Sequence, residues 1–227
     1  MSSLEQGETV TFPYMFNASM SVLRRPAVAT FEEYEKNNLL WATIYVAIAA
    51  VVSAILGAIA FAIQRPFIAQ QLRDAETQLG GQIDLTGALA NRSFVGAIFS
   101  GLLGTLIGFF IFLGIVYVIG RAFGGTGNFG ELAFDMALFW APLMVVRALI
   151  SIIAIGPLAI LTGLVSIAIA IYNLYLTYLA IQSGMNLPKN KALYVILIIF
   201  GIILVLGVCV AVVFAAALAA LFSSIQR

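Results

Sequence analysis

The chain has 227 residues, of which 63% are hydrophobic and 9% are charged, whereas a soluble globular domain has about 45–50% apolar and about 25% charged residues. This number of charged side chains is too small to cover a surface that faces water. The composition therefore excludes an ordinary soluble domain and predicts an all-α, polytopic integral membrane protein. The 11 basic and 10 acidic residues leave a net charge of +1, which gives no reason to expect nucleic acid or an acidic substrate as a partner.

Residues 1–38 are predicted to be an interfacial or cytoplasmic segment ahead of the membrane domain. They contain no short apolar core with a small-residue cleavage site, so we expect no cleavable signal peptide. A run of apolar and aromatic residues followed by two arginines indicates an amphipathic helix on the membrane surface, with a disordered tail as the alternative. Thr30 and Glu33 have the spacing of a capping box, which predicts a helix over residues 31–38 that continues into the first span.

Five stretches of the chain are long and apolar enough to cross a membrane. A hydrocarbon core about 30 Å thick requires about 20 apolar residues in a helix. The stretches form one predicted transmembrane domain, residues 39–227, whose spans are residues 39–63, 94–119, 132–154, 158–181 and 192–222. The last run is longer than one crossing needs, so we expect it to tilt or to project beyond the membrane.

The loop between the first two spans has a helical pattern of its own. After Pro66, apolar residues recur at helical spacing, with polar and charged residues on the other faces. This pattern predicts a second amphipathic helix, lying in the membrane interface. Gly80 and Gly81 are expected to end it, and a polar stretch to Ser93 leads into the second span.

A glycine-rich loop follows the second span. Gly125, Gly127 and Gly130 have the spacing G-x-G-x-x-G, but a dinucleotide fingerprint requires a preceding strand and an acidic residue about 20 positions later in a soluble βαβ unit. Here the glycines follow a predicted transmembrane helix, and no Walker lysine is present. We therefore expect no nucleotide, and we interpret the glycines as a tight turn in which Asn128 caps the next helix.

Two charged residues lie inside the predicted third span. An arginine near the bilayer centre costs about 2.5–3.5 kcal/mol on insertion scales, which makes Arg147 a candidate polar site. The alternative is that its long side chain reaches the nearby interface. Asp135 is a second candidate, and solvation by lipid headgroups is its alternative. Twelve residues of one helix separate the two, so they cannot form a salt bridge with each other.

The third and fourth spans are predicted to form an antiparallel hairpin, because only a short turn at Gly156 and Pro157 joins them. Counting about 1.5 Å per residue from that turn places Arg147 level with Ser166, and Asp135 level with Thr177 and Tyr178. The candidate polar intramembrane site comprises Arg147, Asp135, Ser166, Asn173 and Tyr178.

Small residues recur every four positions on several spans, a pattern that lets membrane helices approach closely. We expect the first two spans to pack against each other, or one of them to pack against a partner protein or a second copy of the chain. The predicted packing positions are Ala54 and Ala58 on the first span and Gly96, Ser100, Gly104 and Gly108 on the second. A similar strip on the last span comprises Gly207, Ala211, Ala215 and Ala219.

Basic residues in the loops predict the orientation, since cytoplasmic loops carry more lysine and arginine. Six lie on the side of the N-terminus and four on the other, which favours a cytoplasmic N-terminus and an external C-terminus. The six are Arg24, Arg25, Lys36, Arg121, Lys189 and Lys191, and the four are Arg65, Arg73, Arg92 and Arg227.

The chain has few residues that could carry out catalysis. It contains no histidine, which excludes imidazole catalysis and histidine metal sites, and no G-x-S-x-G motif. The single cysteine, Cys209, cannot form an internal disulfide and is expected to pack as a small hydrophobic residue. The carboxylates are too scattered to predict a metal site. We therefore expect no enzyme, no catalytic residue, no metal and no cofactor.

Three stretches of the sequence carry a resemblance to a known family. They are RRPAVATFEEYEKNN before the first span, GGTGNFGELAFDMALFWAPLMVV entering the third, and IYNLYLTYLAIQSGMNLPKNKALYVILI linking the fourth and fifth. From about residue 26 to about residue 220 the chain resembles the Yip domain family, the Ypt-interacting proteins. The resemblance implies five spans, a cytoplasmic N-terminal region and a non-enzymatic role. Eukaryotic members are associated with Rab-type small GTPases, vesicle traffic and membrane shaping.

This chain departs from the eukaryotic members in its short N-terminal region, and the resemblance supplies no GTPase-binding residues to carry over. Its compact length and plain loops suggest a prokaryotic cell membrane. The sequence thus predicts a membrane scaffold or adaptor of the Yip type, acting in membrane organisation or trafficking-like protein association, with the lipid bilayer and a protein partner or second copy as its contacts. The alternatives are a structural subunit of a larger membrane complex and a small-solute transporter or channel, whose path would be lined by Arg147, Asn173, Ser166 and Tyr172.

Overall fold

The computed structural model describes residues 9–78, 87, 94–156 and 158–225, and within these ranges the elements are helices joined by short connections. The helices are α1 (Phe12–Arg24), α2 (Val28–Tyr34), α3 (Leu39–Gln78), α4 (Phe94–Ala122), α5 (Phe129–Ile152), α6 (Leu158–Gly184) and α7 (Lys189–Ile225). The last five are each long and apolar enough to cross a membrane. The predicted all-α, five-span fold is therefore confirmed.

The predicted first span and the amphipathic helix after it are one continuous helix. α3 runs for 40 residues and passes through Pro66 without a break. A proline removes only one backbone hydrogen bond, and the alanine, glutamine and leucine residues that follow favour helix. At about 1.5 Å per residue the helix is about 60 Å long, twice the thickness of the hydrocarbon core, so part of it must tilt or project from the membrane. The predicted end at Gly80 and Gly81, and the stretch to Ser93, lie outside the described residues.

The N-terminal amphipathic helix is present, but its apolar face packs on the helix bundle. Met15, Ala18, Ser19 and Val22 are buried, and their spacing of three and four residues places them on one face. Hydrogen bonds from hydroxyl groups tie α1 to its neighbours. These hydrogen bonds join Ser19 Oγ to the Tyr45 hydroxyl at 3.0 Å, Tyr14 to the Tyr34 carbonyl at 3.1 Å, and Tyr172 to the Leu23 carbonyl at 2.6 Å.

The predicted helix over residues 31–38 is wrong in both its start and its end. α2 begins at Val28, three residues earlier, and Thr30 is buried within it. Residues 35–38 are not helical. The reason is Asn38, whose side-chain oxygen accepts a hydrogen bond from the Trp41 backbone N–H at 3.0 Å. A residue that caps a helix in this way has a non-helical backbone itself, so α3 begins anew at Leu39.

The central helix of the bundle is α5, which contacts α3, α6, α4 and α1. It pairs with α6 as the predicted antiparallel hairpin, and the connection contains Gly156 with a φ of 53°, a left-handed conformation that favours glycine. Pro157 lies outside the described residues. α2 packs on α6, α4 packs on α3, and α7 touches α6 and α4.

Burial divides the bundle into two halves. We define the packed half as α1, α2 and residues 39–50, 109–116, 129–143 and 176–199, because the fully buried side chains concentrate there. We define the open half as residues 144–152, 158–175 and 202–216, most of which are exposed. Both halves contain membrane-spanning helix, so hydrophobic composition does not distinguish them.

Candidate functional site

The glycine-rich loop joins α4 to α5 and lies against the end of α6. The backbone N–H groups of Thr126 and Gly127 donate to the Met185 carbonyl at 3.0 and 3.4 Å, and the Gly125 N–H donates to Gly120 at 2.9 Å. A Cβ atom at Gly127 would overlap the carbonyl of Gly184. The glycines thus allow two backbones to touch. The amides that a phosphate would need already bond to carbonyl groups of the chain.

Two further glycines bring a third segment to the same place. A Cβ atom at Gly184 would lie 2.7 Å from the Leu132 Cα atom, and one at Gly130 would overlap the side-chain oxygen of Asn37. The start of α5 and the end of α6 therefore meet at backbone contact distance, and the Asn37 side chain of the linker before α3 packs against Gly130. We call this place the glycine junction. The contact between α5 and α6 depends on the absence of a side chain at Gly184, because a Cβ atom there would lie too close to the Leu132 backbone.

Asp135 lies inside this junction and is fully buried. Its Oδ2 atom is 3.3 Å from the position that a Cβ atom of Gly184 would occupy, and Ser183, Glu35 and Glu131 are close enough to act on it electrostatically. The Ser183 hydroxyl is placed to donate to the Asp135 carboxylate, although among the described residues neither group makes a hydrogen bond of full distance and angle. A buried polar group without a partner is costly, so this carboxylate is a candidate functional group.

Glu35 is the acidic neighbour that lies outside the membrane spans. Burial, followed by the negative charges of Glu131 and Glu32, raises the pKa of Glu35 to about 7. Its Oε1 atom is buried without a hydrogen bond, again within the described ranges. The Glu131 carboxylate is held in place, because it accepts from the Asn128 backbone N–H at 2.8 Å and from the Asn128 side chain at 3.0 Å. This is the capping interaction that closes the start of α5.

The acidic groups do not form a metal site. In the part of the chain that the structure describes, no group of three or more histidine, cysteine, aspartate or glutamate side chains could hold a metal ion. What Glu35 can do is bind and release a proton near neutral pH.

Arg147 of α5 and Asn173 of α6 line a cleft in the membrane-spanning region. Along α5, Arg147 lies about 18 Å from Asp135. The cleft has a volume of about 380 Å³, and we call it the membrane cleft. Its lining comprises Gly104, Thr105, Gly108, Trp140, Leu143, Met144, Arg147 and Asn173. Trp140 and Asn173 also line a second cleft of about 290 Å³, between α5, α6 and α7.

Two polar groups of the membrane cleft have no partner among the residues that the structure describes. The Asn173 Oδ1 atom is buried without a hydrogen bond, and the Arg147 guanidinium makes no hydrogen bond and no ion pair with any described residue. The Trp140 ring is held between Phe109 and Phe112, with ring centroids at 5.1 and 5.8 Å. The cleft therefore has fixed aromatic walls and unsatisfied polar atoms.

The other predicted polar residues lie elsewhere. The Ser166 hydroxyl donates to the Thr162 carbonyl at 2.7 Å, within its own helix, and the Tyr178 hydroxyl donates to the Lys189 carbonyl at 3.4 Å. The structure places Asp135 beside Ser183, and Arg147 in one cleft with Asn173. The predicted register of the hairpin is displaced by about three residues, less than one helical turn. Equal counts from the turn would place Leu132 level with residue 181, whereas the Leu132 backbone lies against Gly184.

The predicted packing positions fall into two groups. Between α3 and α4 the close approach is at Ala54 and Gly101, where a Cβ atom on Gly101 would lie 3.6 Å from the Ala54 Cβ atom. Gly104 and Gly108 have no atom within 4 Å of their Cβ positions and face the membrane cleft. The remaining three positions contribute less to this contact. Ala58 is partly buried, and Gly96 and Ser100 are exposed on α4.

Sequence reasoning missed Glu35, Ser183, Gly184 and Gly101. Glu35 is far in the chain from the adjacent residues Ser183 and Gly184, and no periodicity within one segment predicts that they meet. Cys209, expected to pack as a small hydrophobic residue, is instead exposed on α7.

A comparison with protein-family models matches the Yip1 domain to residues 20–212. The match covers the glycine junction, the membrane cleft and all five membrane-spanning helices except the end of α7. No match was found among curated proteins or among solved structures. Since the matched region is most of the chain, the protein belongs to the Yip1 domain family.

Proposed function

We propose that this Yip1 domain protein is a non-enzymatic integral membrane scaffold, whose exposed helix surface holds a partner protein or a second copy of the chain. Its role would be membrane organisation or trafficking-like protein association. The proposal rests on the exposure of α7, in which every residue from 202 to 216 is exposed.

The exposed stretch of α7 is too long to be the fraying end of a helix. At about 1.5 Å per residue, its 15 residues span about 22 Å, most of the thickness of the hydrocarbon core. α7 is anchored to the bundle through buried residues near its start, such as Ala192, Val195 and Ile199. Residues 202–216 are all exposed, so most of their surface is available to lipid or to a partner.

Small residues on this exposed stretch favour a protein partner. Gly207, Ala211 and Ala215 lie on one face, and nothing comes within 4 Å of a Cβ atom at Gly207. In a membrane, helices associate through close backbone approach and not through apolarity, and small residues permit that approach. The side chain of Ala219, the fourth member of the predicted strip, lies outside the described part.

The non-enzymatic part of the proposal rests on the residues available. The chain contains no histidine, and the one carboxylate buried in the membrane-spanning region that the structure describes, Asp135, is fully enclosed. A substrate could reach it only if the glycine junction opened.

We place the N-terminal end of the bundle on the cytoplasmic side, in a prokaryotic cell membrane. The basic residues at the packed end are Arg24, Arg25, Lys36, Arg121, Lys189 and Lys191, whereas Arg65 and Arg73 follow the far end of the first span. Arg92 and Arg227 lie outside the described residues. The excess of positive charge at the packed end supports this orientation, and the short loops support the prokaryotic location.

Transport is the second candidate, because Arg147 and Asn173 do share a cleft. Two of the four predicted path residues are engaged elsewhere, since Ser166 bonds to Thr162 and Tyr172 bonds to Leu23.

A structural subunit of a larger membrane complex differs from a scaffold only in the permanence of its partner. Solute or ion flux into liposomes, measured for the parent protein and for Arg147→Gln, separates transport from both, since a transporter requires flux above the lipid background that the variant loses.

Photo-crosslinking from α7 tests the scaffold. In a Cys209→Ser background, single cysteines carrying benzophenone maleimide replace Val208, which borders the small-residue face, or Val213, on the opposite side of the helix. We expect a reproducible adduct in native membranes from position 208, identified by mass spectrometry as one partner or as the chain itself, and a much weaker one from position 213. Equal adducts from both positions, or none from either, would contradict the scaffold.

A further inference from the structure

We propose that the membrane cleft binds an anionic phospholipid, whose phosphate pairs with Arg147 and whose acyl chain lies against Gly104 and Gly108. The occupant follows from the lining of the cleft, which combines one unpaired cation with a groove of apolar walls. A phosphodiester joined to a hydrocarbon chain is the membrane component that matches both parts.

The position of Arg147 suits a lipid headgroup. It lies five residues before the end of α5 at Ile152, about 7.5 Å of helix, so its long side chain can reach the level of the headgroups. Arginine binds phosphate well because its planar guanidinium presents several N–H donors at once. Because Arg147 has no internal ion pair, a lipid phosphate would supply the missing anion.

The walls of the cleft suit an acyl chain. The faces of Gly104 and Gly108 leave open space where other residues would place side chains, since nothing lies within 4 Å of either Cβ position. Leu143, Met144 and Trp140 form the facing apolar surface. Asn173 lines the same space, and its amide NH2 group can donate a hydrogen bond to an oxygen of the lipid phosphate.

The chain offers a matched control cation. The Gln64 side chain donates to the Ser151 carbonyl at 2.6 Å, which places the adjacent Arg65 at the same end of the bundle as Arg147. Arg65 is exposed on α3 and lines neither of the two clefts described above. A general attraction of anionic lipid to positive charge would therefore involve both arginines, whereas a specific site involves Arg147 alone.

Fluorescence quenching by brominated lipids tests the proposal. The chain has two tryptophans, so Trp41→Phe leaves Trp140, in the wall of the cleft, as the only reporter. In nanodiscs, phosphatidylglycerol with brominated acyl chains should quench Trp140 at lower mole fraction than phosphatidylcholine with the same chains. Arg147→Gln should raise the mole fraction of phosphatidylglycerol required about tenfold, equivalent to about 1.4 kcal/mol, and Arg65→Gln should leave it unchanged.

A second variant keeps the test decisive if Arg147→Gln fails to fold. Gly104→Leu places its Cβ atom in open space and extends the rest of its side chain into the groove, so we expect it to fold and to reduce quenching by both lipids. Equal quenching by the two lipids in the parent protein, or an equal effect of Arg65→Gln and Arg147→Gln, would overturn the proposal. Because these measurements do not involve α7, their failure would leave the proposed scaffold function untouched.

Discussion

The packed half and the open half of this membrane domain are both built from apolar, membrane-spanning helices, yet the buried core of the described residues lies in the packed half. α7 is the most apolar of the five spans and α5 the least, but α5 contains the buried residues Leu132 to Leu143, whereas α7 exposes residues 202 to 216. Lipid is as apolar as leucine, so apolarity does not drive helices together inside a membrane. Close packing of membrane helices requires glycines that let the helices touch and polar contacts between them. The glycine junction and the hydrogen bonds of α1 provide both in the packed half.

Removal of a large buried ring should have the greatest effect. Phe31 is fully buried in α2 and packs edge-to-face on Phe139 with ring centroids 6.2 Å apart. Phe31→Ala should lower the free energy of unfolding by about 3–5 kcal/mol, because it leaves a cavity at a site that is otherwise shielded from water. The matched change Phe214→Ala, on the exposed part of α7, should stay within about 0.5 kcal/mol. Thermal unfolding in detergent measures both, and similar losses would remove the distinction between the halves.

Filling the glycine junction should have the next largest effect. Gly184→Ala places a Cβ atom 2.7 Å from the Leu132 backbone, and overpacking of this kind costs about 1–3 kcal/mol. Gly163→Ala, on the same helix, meets no atom within 4 Å, so it should be neutral or slightly stabilising because alanine favours helix. The same unfolding assay compares them. If Gly184→Ala is as stable as Gly163→Ala, the backbones of α5 and α6 do not meet at contact distance.

The smallest of these effects is a dependence on pH. Because burial raises the pKa of Glu35 from 4.5 to about 7, the folded protein holds a proton that the unfolded chain releases. Stability contributed by this group is therefore full below pH 4.5 and declines as the pH rises to about 7. Glu35→Gln should be more stable than the parent protein at pH 8 and should flatten this decline, whereas Glu33→Gln, at an exposed neighbouring position, should not. If the stability of Glu35→Gln still falls with rising pH as much as that of the parent protein, the pH dependence belongs to another group.

The features that sequence predicts well are those encoded within one segment. The five spans follow from length and apolarity, and the cap at Asn128 follows from the residues that flank it. The start of α3 was missed although Asn38 has a side chain suited to capping, because the capping-box spacing at Thr30 and Glu33 suggested a continuous helix. Pro66 was taken to separate two helices, whereas the residues around it keep one helix intact.

The candidate site depends on contacts between segments, which sequence alone did not supply. Asp135 lies beside Ser183 and Glu35 because Gly184 lets the backbones of α5 and α6 touch and Gly130 leaves room for the Asn37 side chain. The hairpin between α5 and α6 was predicted, but its register differs by about three residues, and Arg147 shares a cleft with Asn173 and not with Ser166. Small errors at a turn persist along the whole length of a rigid helix, so a correct topology still gave incorrect neighbours.

Labelling from the lipid phase tests the division into two halves most directly. The parent protein is reconstituted into liposomes that contain a phospholipid with a diazirine on its acyl chain, and after illumination the labelled residues are mapped by mass spectrometry. We predict adducts on residues 202–216 of α7 and residues 158–171 of α6, with little or no labelling of residues 132–143 of α5. Labelling of α5 as strong as that of α7 would contradict the account.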